Sequence, residues 1–159
     1  MTPRWSHAPL SGAGSAVSGG RLNPPGVEAL YLSETVDTAL KEFQQGLLLF
    51  PRPGMLAGFR VQITDMVDLT DDEVLKNLKI FPGVLECAWK LLRSQKKSVP
   101  SWVLAESLMS QGVAGVRVPS AVVPGGVNVV LWHWSAAPNL VSVIDLNNEL
   151  PNDASSWKV

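Results

Sequence analysis

The sequence predicts an α+β fold. Strand-like and helix-like segments follow one another without the strand–helix–strand rhythm of a parallel sheet. Hydrophobic residues make up 46% and charged residues 17% of the 159. That is enough apolar material for a core and too little charge for a disordered chain. The 13 glycines and 12 prolines call for many tight turns between short elements. A single domain over residues 1–146 is expected, with a polar, poorly packed tail over 147–159.

Residues 11–26 are rich in Ser, Gly, Ala and Pro and read as a loop. Val27 to Leu32 is short, apolar and holds Tyr31, which suits a strand. Ser33 or Thr35 then caps a helix whose first turn carries Glu34 and Asp37. Val36, Ala39, Leu40 and Phe43 share one face and predict a buried stripe, with Gly46 as the stop. Phe59, Val61 and Ile63 alternate with polar residues as in a half-buried strand. Thr70-Asp71-Asp72-Glu73 has the form of a capping box for a helix reaching about Leu78. Val84 to Leu92 predicts a further helical turn or two. Pro100 opens a helix that ends near Gly112. Val113–Val118, Asn128–Trp134 and Val141–Leu146 complete the strands.

The net charge is -1, so no broad basic field invites nucleic acid. Cys87 is the one cysteine and reads as a buried structural thiol, which leaves no disulfide framework and no thiol-rich metal site. The N-terminus lacks an apolar signal region, and no apolar run approaches the roughly 20 residues that cross a bilayer. A cytoplasmic protein without a membrane anchor is expected.

The chemistry concentrates in the first third of the chain. Gly19-Gly20-Arg21-Leu22-Asn23-Pro24-Pro25-Gly26 precedes the Tyr31 strand. The glycine pair permits close backbone approach, and the prolines stiffen the turn. An Arg held there can grip a phosphate with its planar fork. In isolation, a solvated surface Arg is the simpler reading. The spacing matches neither the Rossmann fingerprint nor the Walker A pattern. Tyr31 reads either as a core tyrosine with its hydroxyl satisfied or as a surface on which a ring stacks. Glu42 lies at the edge of the apolar stripe. It is either a surface carboxylate or the group that steadies a developing oxocarbenium ion. Ser120 could bond a ligand phosphate, fix Glu42, or simply sit in a turn after Pro119. His7 and His133 carry no triad or metal signature. On a strand, His133 would face away from both Trp132 and Trp134.

Together these residues resemble the RES domain family, the toxin half of certain bacterial toxin–antitoxin pairs, named for an Arg, a Glu and a Ser. The positions that match are Arg21, Glu42 and Ser120, with Tyr31 as the strand tyrosine and Arg4 as a second arginine of the pocket. Leu22 departs from the aromatic residue usual after the Arg. The resemblance implies a fold similar to ADP-ribosyltransferase toxins and an NAD-consuming activity without a metal. Arg21 and Arg4 would hold the pyrophosphate or ribose, Tyr31 would stack on nicotinamide, and Glu42 would steady the ribosyl cation. Asn23 and Ser120 would complete the NAD contacts. ADP-ribose would pass to a target protein, or to water or phosphate. A helix-turn-helix antitoxin of the Xre type would block the pocket in a multimeric complex. A non-catalytic binding module and a hydrolase or ribonuclease are the competing readings.

Overall fold

The structure, a computed structural model, describes residues 1–45 and 53–157. Its strands are β1 (Leu30–Ser33), β2 (Gly58–Gln62), β3 (Met66–Asp68), β4 (Gly115–Pro119), β5 (Val127–Leu131), β6 (Ser135–Ala136) and β7 (Asn139–Ile144). Its helices are α1 (Ala13–Ser18), α2 (Val36–Phe43), α3 (Asp72–Asn77), α4 (Pro82–Leu85), α5 (Trp89–Ser94) and α6 (Pro100–Ser110), with 3-10 turns at Pro3–Trp5 and Ala154–Trp157. The fold is mixed α+β with two sheets. One has strand order β1-β5-β4-β3, antiparallel except for the parallel β3–β4 pair. The other has order β2-β7-β6 and is antiparallel.

β5 is central and buried on both sides. Val130 joins Leu22, Val116, Val118 and Leu108 in one core. Val129 and Leu131, on the opposite face, join Leu30, Trp134 and Val141 in a second core that links the two sheets. Alternation along one strand thus feeds two apolar layers. β1 is an edge strand. Glu34 N–H donates to Val127 O, which makes Ser33 and Asn128 a non-hydrogen-bonded pair with close side chains.

Several expectations change in contact with tertiary structure. The loop over 11–26 contains α1, held by the Ser15 hydroxyl, which accepts from Ala29 N–H and lies 2.8 Å from Ala29 O. The cap of α2 is Thr35, whose side chain accepts from Thr38 N–H; Ser33 is the last residue of β1. The α2 stripe is not buried: Val36 is 57% and Leu40 is 50% exposed, and the helix instead buries Thr38. Thr38 packs on Gly126, where a Cβ would lie 2.8 Å from its hydroxyl oxygen. The expected stop at Gly46 lies outside the described residues. Asp71, not Thr70, caps α3 by accepting from Glu73 N–H, because Thr70 donates to Asp68. Residues 84–92 divide between α4 and α5.

β5 ends before Trp132, since Trp132 and His133 N–H both donate to Ala114 O. This bulge-like step turns the two tryptophans into different cores, so they do not share a face, while His133 stays exposed. Cys87 is half-buried, with its thiol 3.4 Å from Ser101 Oγ. The 3-10 turn of the tail lies against that of the N-terminus. Among the described residues no helix is long and apolar enough to cross a membrane.

Leu22 is fully buried in the first core, directly beneath the loop. Leu22→Ala should lower stability by about 2–5 kcal/mol, measured as a smaller unfolding free energy in urea with an unchanged m-value.

Candidate active site

The segment Gly20–Asn23 is pinned from several directions. Trp102 Nε1–H donates to Gly20 O at 2.8 Å, and Trp132 Nε1–H donates to Leu22 O at 2.9 Å. Ser101 Oγ–H donates to Arg21 O. Tyr31 hydroxyl accepts from Leu22 N–H at 3.0 Å and donates to Asn23 Oδ1 at 2.8 Å. Asn23 Nδ2 reaches Val27 O at 2.7 Å and Ser15 O at 3.2 Å. Gly20 has no room for a side chain, because a Cβ there would lie 2.4 Å from the Tyr31 hydroxyl. A segment whose composition suits a linker is therefore a rigid mount.

The mount fixes the direction of Arg21. Its Nη2–H donates to Pro119 O at 2.8 Å, across to the end of β4. Burial lowers its pKa, while the nearby charges of Glu42 and Tyr31 act the other way. Arg21 thus stands in the electrostatic reach of the carboxylate it was expected to accompany.

Glu42 projects from α2 toward the β4–β5 connection. Its Oε1 accepts from Ser120 Oγ–H at 2.7 Å and from Asn128 Nδ2–H at 2.6 Å. Ser120 Oγ in turn accepts from Val122 and Val123 N–H at 3.1 and 2.9 Å. Ser33 Oγ–H donates to Asn128 Oδ1 at 2.7 Å. Ser120 thus both bonds Glu42 and holds the turn that follows it.

Glu42 and Tyr31 line a cleft of about 1070 Å³. The outward residues of the α2 stripe, Val36, Ala39 and Phe43, form part of its wall, as do Phe59 and Val61 of β2. The apolar periodicity there borders a cleft rather than the core. Tyr31 is 38% exposed and lines the cleft, while its hydroxyl is bonded to the loop.

Arg21 lies within electrostatic reach of Glu42 and Tyr31, and Ser120 bonds Glu42; Tyr31 and Glu42 line the cleft, whereas Arg21 and Ser120 are not among the residues that line it. Arg4 is exposed on the first 3-10 turn, has no side-chain partner among the described residues, and does not line the cleft, although its neighbour Trp5 does. Asn23 is fully buried, so from this position it holds the loop and not a ligand. Asn128 and Ser33 were missed as site residues. The available signal was an amide inside the apolar run Val127–Leu131. No cluster of metal-ligating side chains occurs among the described residues.

The RES domain family model matches residues 1–153. The chain belongs to the RES domain family. This RES domain is also similar in fold to a chain of the M. tuberculosis MbcT–MbcA toxin–antitoxin complex, with a TM-score of 0.55 and 22% identity over 86% of this chain and 74% of that one. No curated protein matches it by sequence.

Tyr31 is the only tyrosine, so tyrosinate absorbance reports it alone. Burial pushes its pKa from 10.0 up to about 12, against the opposing pull of Leu22 N–H and Arg21. The folded state therefore holds the phenol proton after the unfolded chain releases it. The corresponding stability is intact below pH 10 and declines as pH rises toward about 12. A spectrophotometric titration should show the folded RES domain ionising well above the urea-unfolded chain; coincident curves would mean that the hydroxyl is not held by the loop.

Proposed function

We infer that this RES domain is the toxin of a toxin–antitoxin pair and cleaves NAD at the nicotinamide–ribose bond, transferring ADP-ribose to a target protein. The observation that carries the reading is the state of Glu42. One carboxylate oxygen takes two hydrogen bonds, and the other has no partner among the described residues, on the wall of a large cleft. A single bonded oxygen is not itself distinctive, since Asp71 caps α3 through one oxygen too; Glu42 differs in facing a cleft with its bonded oxygen held from two sides.

The cleft fits the substrate in size and chemistry. Its volume of about 1070 Å³ lies just above the usual span of ligand sites, about 300–1,000 Å³, and leaves room for a dinucleotide. The open face of Tyr31 offers nicotinamide a flat surface. Arg21, and Arg4 from the exposed turn that also carries the lining residue Trp5, would supply positive charge to the pyrophosphate. As the bond from ribose to the nicotinamide nitrogen breaks, its electron pair leaves with nicotinamide and positive charge grows on the ribose. Glu42 would stabilise that charge through its free oxygen. The same oxygen would then orient the nucleophile of the acceptor and receive its proton.

The likeness to a toxin–antitoxin complex supports an antitoxin partner, proposed as an Xre-type helix-turn-helix protein in a multimeric cytoplasmic complex. The exposed Trp5, Val36 and Leu56 at the cleft offer that partner an apolar rim.

The protein freed of any antitoxin should release nicotinamide from NAD and label a protein in cell extract with ADP-ribose. Nicotinamide release without labelling would assign the acceptor to water or phosphate. Neither product would end the reading. Glu42→Gln should keep NAD affinity within severalfold while kcat drops by about 100-fold or more. Arg21→Ala should instead weaken NAD binding about 10- to 100-fold, measured by calorimetry; unchanged affinity would make Arg21 purely structural.

A further inference from the structure

Glu42 has two flanking donors, and only Ser120 belongs to the set that gives the family its name. The other is Asn128, which reaches Glu42 Oε1 at 2.6 Å and is itself gripped by Ser33 at 2.7 Å. Asn128 is 8% exposed on the central strand, so its amide has little access to water and depends on these partners. An amide can present either its oxygen or its nitrogen. An ionised carboxylate only accepts, so it requires the nitrogen. The Ser33 hydroxyl can donate or accept, and here it donates to Oδ1, which holds the amide in the orientation that Glu42 needs.

The backbone dictates this arrangement. Ser33 and Asn128 are register partners in a non-hydrogen-bonded pair, where facing side chains come closest. Ser33 is also the last residue of β1, two positions before the cap of α2. The strand that carries Tyr31 is thereby linked through one hydroxyl and one amide to the carboxylate on the following helix.

We propose that Ser33 and Asn128 are positioning residues: Ser33 sets the Asn128 amide, and the amide together with Ser120 pins Glu42 Oε1 so that Oε2 faces the ribose. The kinetic consequence rests on the NAD-cleavage reading; the hydrogen-bond relay does not. Ser33 and Asn128 both border the cleft, but their side chains are engaged with each other and with Glu42, so loss of either lets the carboxylate turn while Tyr31 and Arg21 stay in place. The effect therefore falls on kcat and spares KM.

The experiment compares nicotinamide release by the wild type, Ser33→Ala, Ser33→Thr, Asn128→Ala and Asn128→Asp. Ser33→Ala should lower kcat about 3- to 10-fold with KM for NAD changed by less than about twofold, and Ser33→Thr, which restores the hydroxyl, should recover it. Asn128→Ala should cost about 10- to 100-fold in kcat. Asn128→Asp places a second carboxylate against Glu42, and the acid limb of its pH–rate profile should move to higher pH. Ser33→Ala at wild-type kcat, equal losses in Ser33→Ala and Ser33→Thr, or an unmoved profile in Asn128→Asp would each overturn the proposal. If the wild type leaves NAD intact, the function reading fails and the relay is read from the Asn128 side-chain amide in a nitrogen–proton NMR spectrum. A signal displaced from the free-amide region that moves on Glu42→Ala and on Ser33→Ala supports it; a signal indifferent to both overturns it.

Discussion

The Tyr31 hydroxyl makes two hydrogen bonds of opposite sense, accepting from Leu22 N–H and donating to Asn23 Oδ1. One phenol thus ties an edge strand to the loop that carries Arg21. The rest of the loop is consistent with that constraint. Gly20 must lack a side chain because the phenol occupies its place, and Leu22 must be apolar because the loop seals a core. Two indoles and a serine hydroxyl take up the carbonyls left over, so the turn leaves few buried polar groups unsatisfied. An arginine on a loop is placed more accurately by such support, since its own side chain has many rotamers to lose.

From this mount the site extends through the four-stranded sheet. The register places Ser33 opposite Asn128, and the chain reversal after β4 places Ser120 within reach of the same carboxylate. Glu42, on a helix, is thus approached from one strand and one connection of the same sheet. The cleft beyond it is lined with apolar residues of α2 and β2.

Much of this was legible in the sequence, and the failures share a physical origin. The glycine pair, the stiff turn, the strand tyrosine and the helical carboxylate are local patterns, and the RES domain resemblance assembled them. The α2 stripe misled because a helix facing a cleft has the same 3.6-residue period as a helix facing a core. Thr38, the residue that α2 does bury, gives no hydrophobic signal at all. Thr70 and Asp71 are both competent caps, and only the position of Asp68 decides between them. β3, with three residues, is too short to show alternation, and α1 is composed like a linker. Asn128 could be seen as odd in its strand, but its role depends on a register that pairs residues 95 positions apart.

If the prefixed loop and the Glu42 carboxylate together form an NAD site, a crystal structure of the Glu42→Gln variant with NAD will show it, because the substitution preserves shape and slows turnover. Nicotinamide should lie against the Tyr31 ring, with the adjoining ribose within hydrogen-bond distance of residue 42 and Gly20–Asn23 in its ligand-free position with the Tyr31–Asn23 bond intact. NAD bound away from residue 42, or a loop that opens and breaks that bond to admit it, would rule this site out.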